Sequence, residues 1–174
     1  SIKKYCGVSI LKSKIEWKLF IICLAVPLAV GGLSAFLTNS SMKQFAELRQ
    51  PPLSPPAWLF PVVWTLLFAM MGIASYIIIM SGGRGGFPER NAEVRSAIIL
   101  YGLQLAVNFC WPLLFFNMKM YLAAFMWLLL LWVMIVTMFF SFYRLSKTAG
   151  YLVVPYVLWV TFAGYLNLGI YFLN

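Results

Sequence analysis

The chain has 174 residues, of which 63% are hydrophobic and only 10% are charged. Ordinary soluble domains carry about 25% charged residues, and a chain this short has too little interior to bury so much apolar surface. The composition therefore excludes a water-soluble globular domain and predicts a protein that uses the lipid bilayer as its solvent.

The charge and the reactive residues narrow the class further. Thirteen Lys and Arg residues against four Asp and Glu residues give a net charge of +9, and there is no His. Because the basic residues flank apolar segments, we interpret them as topology signals and not as a nucleic-acid-binding patch. Cys6, Cys23 and Cys110 lack metal-site spacing, and the commonest metal ligand is missing. We predict no metal, no cofactor and no nucleic-acid partner.

Five apolar segments are long enough to cross a bilayer, which takes about 20 residues per helix. In chain order they cover residues 19–37, 57–80, 96–116, 121–143 and 150–173. The sequence thus predicts an all-α membrane protein, a five-transmembrane-helix bundle over residues 19–174.

The segments between these helices differ in length and composition. Residues 1–18 form a basic N-terminal extension, and residues 38–56 form a long loop that ends in a proline-rich run. Residues 81–95 are polar and Gly-rich. The connections at 117–120 and 144–149 are short, which predicts that helices three, four and five are sequential antiparallel neighbours.

Lys and Arg are distributed unevenly over the two ends of the predicted bundle. Ten of them lie on the side of the N-terminus, and only Lys43, Arg49 and Lys119 lie on the other side. Positive residues favour the cytoplasmic side of a membrane. We therefore expect a bacterial plasma membrane protein with a cytoplasmic N-terminus.

Three predicted helices each carry an aromatic-rich face that includes a few polar side chains. The residues that share a face at helical spacing are Trp64, Phe68, Met71 and Ser75 on helix two, Gln104, Asn108, Trp111 and Phe115 on helix three, and Tyr156, Trp159, Ala163, Asn167 and Ile170 on helix five. Together these faces predict an apolar pocket with sparse polar anchors, which is typical of a small-molecule site. The alternative, that the same residues only pack the helices, stays open.

Small residues suggest where helices approach closely. Gly102, Ala106 and Cys110 recur every four residues on the opposite face of helix three, where they favour packing inside the monomer or a homodimer. Helix one carries a second patch of small residues, which we interpret as another close-packing surface: Gly31, Gly32, Ser34 and Ala35.

No conventional catalytic constellation accompanies these features. All four acidic residues lie outside the predicted spans: Glu16, Glu47, Glu89 and Glu93. An intramembrane carboxylate relay, which proton-coupled pumps usually need, is therefore missing.

Three ordered motifs resemble those of a known family. The sequence "PPLSPPAWLFPVVW" precedes and enters helix two, "QLAVNFCWPLLFF" lies on helix three, and "LVVPYVLWVTFAGYLN" lies on helix five. Across residues 24–174 the chain resembles the tryptophan-rich sensory protein/translocator protein family, also called the TspO/MBR or peripheral-type benzodiazepine receptor family. The chain departs from the family pattern at Leu53, where a Trp is usual.

The resemblance implies a five-helix bundle, often dimeric, whose pocket opens toward the loop between helices one and two. It implies porphyrins such as protoporphyrin IX, and related flat hydrophobic molecules, as ligands. The family's ligand-contacting positions match Phe68, Asn108, Trp111 and Ala163 here, and Phe45 is expected to contribute from the same loop.

Three functions remain open on this basis, and a purely structural role in the membrane is the alternative to all of them. The first is a membrane receptor or sensor that binds porphyrin. The second is a light-dependent porphyrin-degrading activity, for which the resemblance implies Trp64 and Trp159 as the reactive residues. The third is a transporter of tetrapyrroles or other hydrophobic small molecules.

Overall fold

The computed structural model describes residues 15–45, 47–82 and 88–174. Its helices are α1 Trp17–Phe45, α2 Leu59–Gly82, α3 Pro88–Pro112, α4 Tyr121–Leu145 and α5 Lys147–Leu173. A π-helical segment, Leu113–Asn117, follows α3 directly. The described residues contain five helices long and apolar enough to cross a membrane, and no strand. The predicted five-helix, all-α fold is thus confirmed, and the protein is an integral multi-pass membrane protein.

The helices extend beyond the predicted spans. Apolar composition identifies only the part of a helix that lies in the bilayer, whereas the backbone hydrogen bonding of the helix continues past it. The predicted loop from residue 38 is wrong in its first part, since α1 continues to Phe45. The Thr38 hydroxyl donates to the Ser34 carbonyl at 2.9 Å, so this polar residue is satisfied inside the helix. At the α4–α5 junction only Ser146 separates the two helices, and its hydroxyl caps α5 by accepting from the backbone N–H of Ala149. Residues 1–14 of the predicted extension, and residues 83–87 of the Gly-rich connection, lie outside the described residues.

Helix α2 is at the centre of the bundle, where it contacts the other four helices. Helices α3, α4 and α5 pack as sequential neighbours, as their short connections predict. Among the described elements, α1 packs on α2, on α3 and on the π-helical segment that follows α3, and it makes no comparable contact with α4 or α5. Helix α1 approaches α2 closely at Gly72, where an added Cβ would lie only 2.7 Å from the Cys23 carbonyl oxygen. Helix α1 is therefore a wall held on one side of a four-helix unit.

The two ends of the bundle are packed differently. At the end where α2 finishes and α5 begins, the helices meet in a dense core, which we call the closed half. Its side chains are at most 1% exposed: Met71, Ala74, Ile78, Ala97, Leu131, Ile135, Met138, Phe142, Ala149 and Val153. At the opposite end, where α1 and α5 finish and α2 begins, the helices separate around a cavity; we call this end the open half.

Candidate functional site

The open half encloses a cavity of about 350 Å³ between α1, α2, α3 and α5. Its aromatic lining residues come from α2, α3 and the π-helical segment: Phe60, Trp64, Phe68, Phe109, Trp111, Phe115 and Phe116. Small and polar residues come from α1, the α1–α2 loop, α3 and α5: Gly31, Ser34, Ala35, Thr38, Gln50, Asn108, Ala163 and Asn167. No residue among the described lining carries a charge. The cavity is suited to a flat apolar molecule with a few hydrogen-bonding groups.

Most of the side chains predicted to bind ligand meet at this cavity although they come from three helices. Its walls include the following predicted residues: Trp64, Phe68, Asn108, Trp111, Phe115, Ala163 and Asn167. The helical periodicity therefore identified faces that converge in space. That these side chains contact a ligand stays a prediction.

Two predicted residues, Gln104 and Tyr156, lie behind the cavity wall and have no exposed surface. The Asn108 amide nitrogen donates to the Tyr156 hydroxyl at 2.5 Å, and that hydroxyl donates to the Gln104 side-chain oxygen at 2.8 Å. The Gln104 nitrogen lies 3.6 Å from the Met71 sulfur. This chain of bonds joins α3 to α5 and α2 at the boundary between the two halves. It holds Asn108 at the cavity floor, while Gln104 and Tyr156 support it from below.

A second polar contact fixes the opposite wall. The Trp111 indole N–H donates to the Asn167 side-chain oxygen at 3.2 Å, and the Asn167 nitrogen donates to the Tyr121 carbonyl at 2.7 Å. Asn167 thereby links α5 to α3 and to the first residue of α4. Because the Trp111 N–H and the Asn167 oxygen already bond to each other, this wall presents mainly aromatic surface to the cavity. The rings of Trp111 and Phe115 stack there with their centroids 5.3 Å apart.

Comparison with known proteins agrees with this architecture. The model of the TspO/MBR family matches residues 23–173, which is most of the chain. The chain belongs to the TspO/MBR family. It is 40% identical to the tryptophan-rich protein TspO of Chlorobaculum tepidum, over 88% of this chain and 94% of that protein. It is 32% identical to the tryptophan-rich sensory protein of Cereibacter sphaeroides, over 87% of this chain and 89% of that protein. The translocator protein of Bos taurus is 35% identical over 80% of each chain.

The two tryptophans singled out by the TspO/MBR resemblance occupy different positions. Trp64 lines the cavity and its ring lies 6.2 Å from that of Tyr156. Trp159 is one layer further out, in edge contact with the cavity residue Phe60 at 5.9 Å. The Trp159 indole N–H is buried and has no hydrogen-bond partner among the described residues. The side chain of Phe45, which was also predicted to contribute, lies outside the described residues.

The π-helical segment shapes one wall of this TspO/MBR cavity. It begins after Pro112, which lacks a backbone N–H, and it is closed by the Met118 N–H bonding to the Leu113 carbonyl at 3.0 Å. The wider turn directs Phe115 and Phe116 toward the cavity, which both residues line. Such single π turns are frequent at functional sites.

Sequence reasoning missed the part of the cavity wall that α1 forms. The sequence predicts only a packing patch at Gly31, Ser34 and Ala35, yet all three line the cavity. Gly31 does also pack closely, since a Cβ there would overlap the ring of Phe68. Small residues on α1 therefore serve two purposes: they let the helix approach α2 and they leave empty volume beside it.

Proposed function

We propose that this protein is a membrane receptor or sensor that binds protoporphyrin IX, or a related flat hydrophobic molecule, in the cavity of the open half. The names of its relatives, sensory protein and translocator protein, support a role in membrane sensing or transport. The observation that carries the proposal is the cavity itself, which has aromatic rings on two sides and no charged lining residue among those described. Aromatic faces stack on a planar macrocycle, and sparse amides fix its orientation.

The acidic edge of a porphyrin would lie toward the α1–α2 loop. Arg49 is exposed next to Gln50, which lines the cavity. Its guanidinium is suited to pair with a propionate carboxylate outside the apolar interior. The ring system would then occupy the space between Trp64 and Trp111, with Asn108 below it.

Protoporphyrin IX binding is tested by tryptophan-fluorescence quenching of the purified protein in the dark. Saturable quenching is expected for the wild type. Trp64→Phe is expected to raise the dissociation constant obtained from the titration, because Trp64 lines the cavity. Trp17→Phe is the matched control, since Trp17 is 64% exposed on the bundle surface. Absence of saturable binding to the wild type would show that the cavity is not a porphyrin site.

A light-dependent breakdown of the bound porphyrin is a second candidate function. It is favoured by the placement of Trp64 on the cavity wall and by the buried N–H of Trp159 behind Phe60, which has no hydrogen-bond partner within the described part of the chain. In this reaction dioxygen is the oxidant, so the loss of porphyrin absorbance is followed under light with and without oxygen. Slower loss in Trp64→Phe and Trp159→Phe would support it. Binding without breakdown would leave a receptor or the alternative, a transporter of tetrapyrroles.

The surface of α3 favours a homodimer as the working assembly. Gly102 and Ala106 are exposed on the bundle surface, Cys110 is partly exposed, and a Cβ at Gly102 would meet no atom within 4 Å. Small-residue stripes of this kind let helices of two copies approach closely. Gly102→Leu should shift the protein toward monomer in light scattering, while Gly32→Leu, at an equally open glycine on α1, should not.

We also propose that the protein lies in a bacterial plasma membrane with its N-terminus in the cytoplasm. The uneven distribution of Lys and Arg supports this orientation. It places the cavity and the α1–α2 loop on the non-cytoplasmic side. Fusing a reporter that is active only in the cytoplasm to the N-terminus tests the orientation, and an inactive fusion would contradict it.

A further inference from the structure

The α1–α2 loop, residues 47–58, forms part of the cavity wall at the end of the open half. Gln50, Pro55 and Ala57 line the cavity, and Leu48 packs against the hydrophobic core. Access to the cavity from this end therefore depends on where the loop lies. Three further contacts, described next, hold the loop to α5.

The first contact is a reciprocal pair of hydrogen bonds at Asn174, the C-cap residue of α5. The backbone N–H of Arg49 donates to the Asn174 side-chain oxygen at 3.0 Å. The Asn174 side-chain nitrogen donates to the Arg49 carbonyl at 3.1 Å. A single amide thus satisfies both backbone groups of one loop residue, as a neighbouring strand would.

The second and third contacts lie earlier on α5, at Tyr165 and at Gly169, which are nine and five residues before Asn174. The Tyr165 hydroxyl donates to the Pro52 carbonyl at 2.8 Å. Pro51 packs directly on Gly169, where an added Cβ would lie 2.6 Å from the Pro51 Cβ and 2.8 Å from its Cγ. Only glycine at position 169 lets the loop lie this close to the helix.

The loop is also organised internally, so it can move as one piece. Residues 51–54 form a turn in which the Ser54 N–H donates to the Pro51 carbonyl at 3.3 Å and the Ser54 hydroxyl donates to the same oxygen at 2.8 Å. Pro52 follows at the second turn position and Leu53 has φ 67°, which is the pattern of a type II turn. Release of the loop therefore requires loss of the α5 contacts and not unfolding of the turn.

We propose that Tyr165, Gly169 and Asn174 form a latch on α5 that holds the α1–α2 loop against the cavity and thereby sets how fast ligand enters and leaves. The inference rests on the proposed function for the identity of the ligand, whereas the latch itself is a set of contacts between α5 and the loop that does not depend on which ligand binds. The three hydrogen bonds lie at the exposed end of the bundle, where water competes with each of them. Loop opening is therefore the step that these contacts control, as in other lid-gated sites.

Gly169→Ala is the sharpest perturbation of the latch. The added methyl displaces Pro51, whereas Ala is a better helix former than Gly, so α5 itself is not weakened. Gly164→Ala is the matched control on the same helix, because its Cβ would lie 3.8 Å from the nearest atom, Leu128 Cδ2. The double variant Tyr165→Phe with Asn174→Ala removes the hydrogen bonds without adding an atom.

Two rates are measured for each variant reconstituted in nanodiscs. The first is the dissociation rate of protoporphyrin IX, followed by recovery of tryptophan fluorescence. The second needs no ligand: Ala163→Cys, on the cavity wall, is labelled by a water-soluble maleimide in a background that carries Cys6→Ala, Cys23→Ala and Cys110→Ala. We expect Gly169→Ala and the double variant to raise both rates about tenfold or more, and Gly164→Ala to leave both unchanged.

The two readouts separate the latch from the porphyrin assignment. Faster labelling in the latch variants, in a protein that does not bind porphyrin, supports the latch and removes only the proposed ligand. Labelling at the wild-type rate in both latch variants overturns the latch, whether or not porphyrin binds. Equal acceleration by Gly164→Ala overturns it too, because the effect would then not come from contact with the loop.

Discussion

The closed and open halves are two ends of the same helical bundle, yet the side chains fill the interior of the closed half and surround a cavity in the open half. In the closed half, α4 supplies Leu131, Ile135, Met138 and Phe142, all at most 1% exposed. In the open half, α4 contributes nothing to the cavity, and α1 with the α1–α2 loop takes its place. The bundle is thus stabilised at one end and hollow at the other. The comparison predicts that stability and ligand binding can be changed separately by substitutions in the two halves, which the following variants test.

The largest expected effect on stability is from Phe142→Ala in the closed half. Phe142 has no exposed surface and packs against Tyr101, so its loss leaves a cavity that costs about 3–5 kcal/mol of unfolding free energy. Phe116→Ala, beside the existing cavity, should cost only about 1–2 kcal/mol because its ring is partly exposed. Denaturant unfolding in one detergent measures both. Equal losses would contradict the division into two halves.

A substitution that fills the cavity should affect binding and spare stability. Ala163→Phe places a ring among the lining residues and is expected to lower porphyrin affinity about 100-fold, which corresponds to about 2.7 kcal/mol. Leu158→Phe is its control on the same helix, because Leu158 is 65% exposed on the surface of the bundle. Isothermal titration measures the affinities. If both variants bind like the wild type, the ligand lies elsewhere.

The boundary between the halves is tested by Tyr156→Phe. The substitution removes the hydroxyl that joins Asn108 to Gln104 and leaves two buried amides without this partner. We expect a loss of about 1–2 kcal/mol in unfolding free energy together with weaker ligand binding, since Asn108 loses its support. Tyr151→Phe, at a residue 61% exposed on the same helix, should change neither quantity. A variant that loses stability but keeps full affinity would show that Asn108 does not depend on Tyr156.

The smallest expected effect is a gain at Leu53 in the α1–α2 loop. Leu53 has φ 67°, a left-handed conformation that costs a non-glycine residue about 1–2 kcal/mol. Leu53→Gly removes this strain but loses more chain entropy on folding, so a net gain of roughly 0.5 kcal/mol is expected. Because the gain favours the docked loop, porphyrin release should slow about twofold in stopped-flow measurements. Leu53→Ala keeps the strain and trims the side chain, so it should not slow release.

The fold could be predicted largely from composition and periodicity, and the exceptions are physical. The five spans follow from apolar length, but the ends of α1 and α3 do not, since helical hydrogen bonding continues beyond the apolar segment. The site was predicted in part: Trp64, Asn108 and Asn167 line the cavity, as the helical spacing on α2, α3 and α5 predicts. Gln104 shares that face with Asn108 but lies behind the wall, because periodicity gives the direction of a side chain and not its depth.

Taken alone, the sequence determined that the chain has five helices able to span a membrane and that its motifs are those of the TspO/MBR family, and it predicted that three of these helices carry aromatic-rich faces. Tertiary structure decided which end of the bundle is hollow, that α1 completes the cavity, and that Asn174 reaches Arg49, 125 residues away in the chain. The reason is that local sequence fixes the helical conformation within each apolar span and the angular position of each side chain around it. The separation between helices, and the place where a loop returns to α5, depend on the packing of the whole bundle.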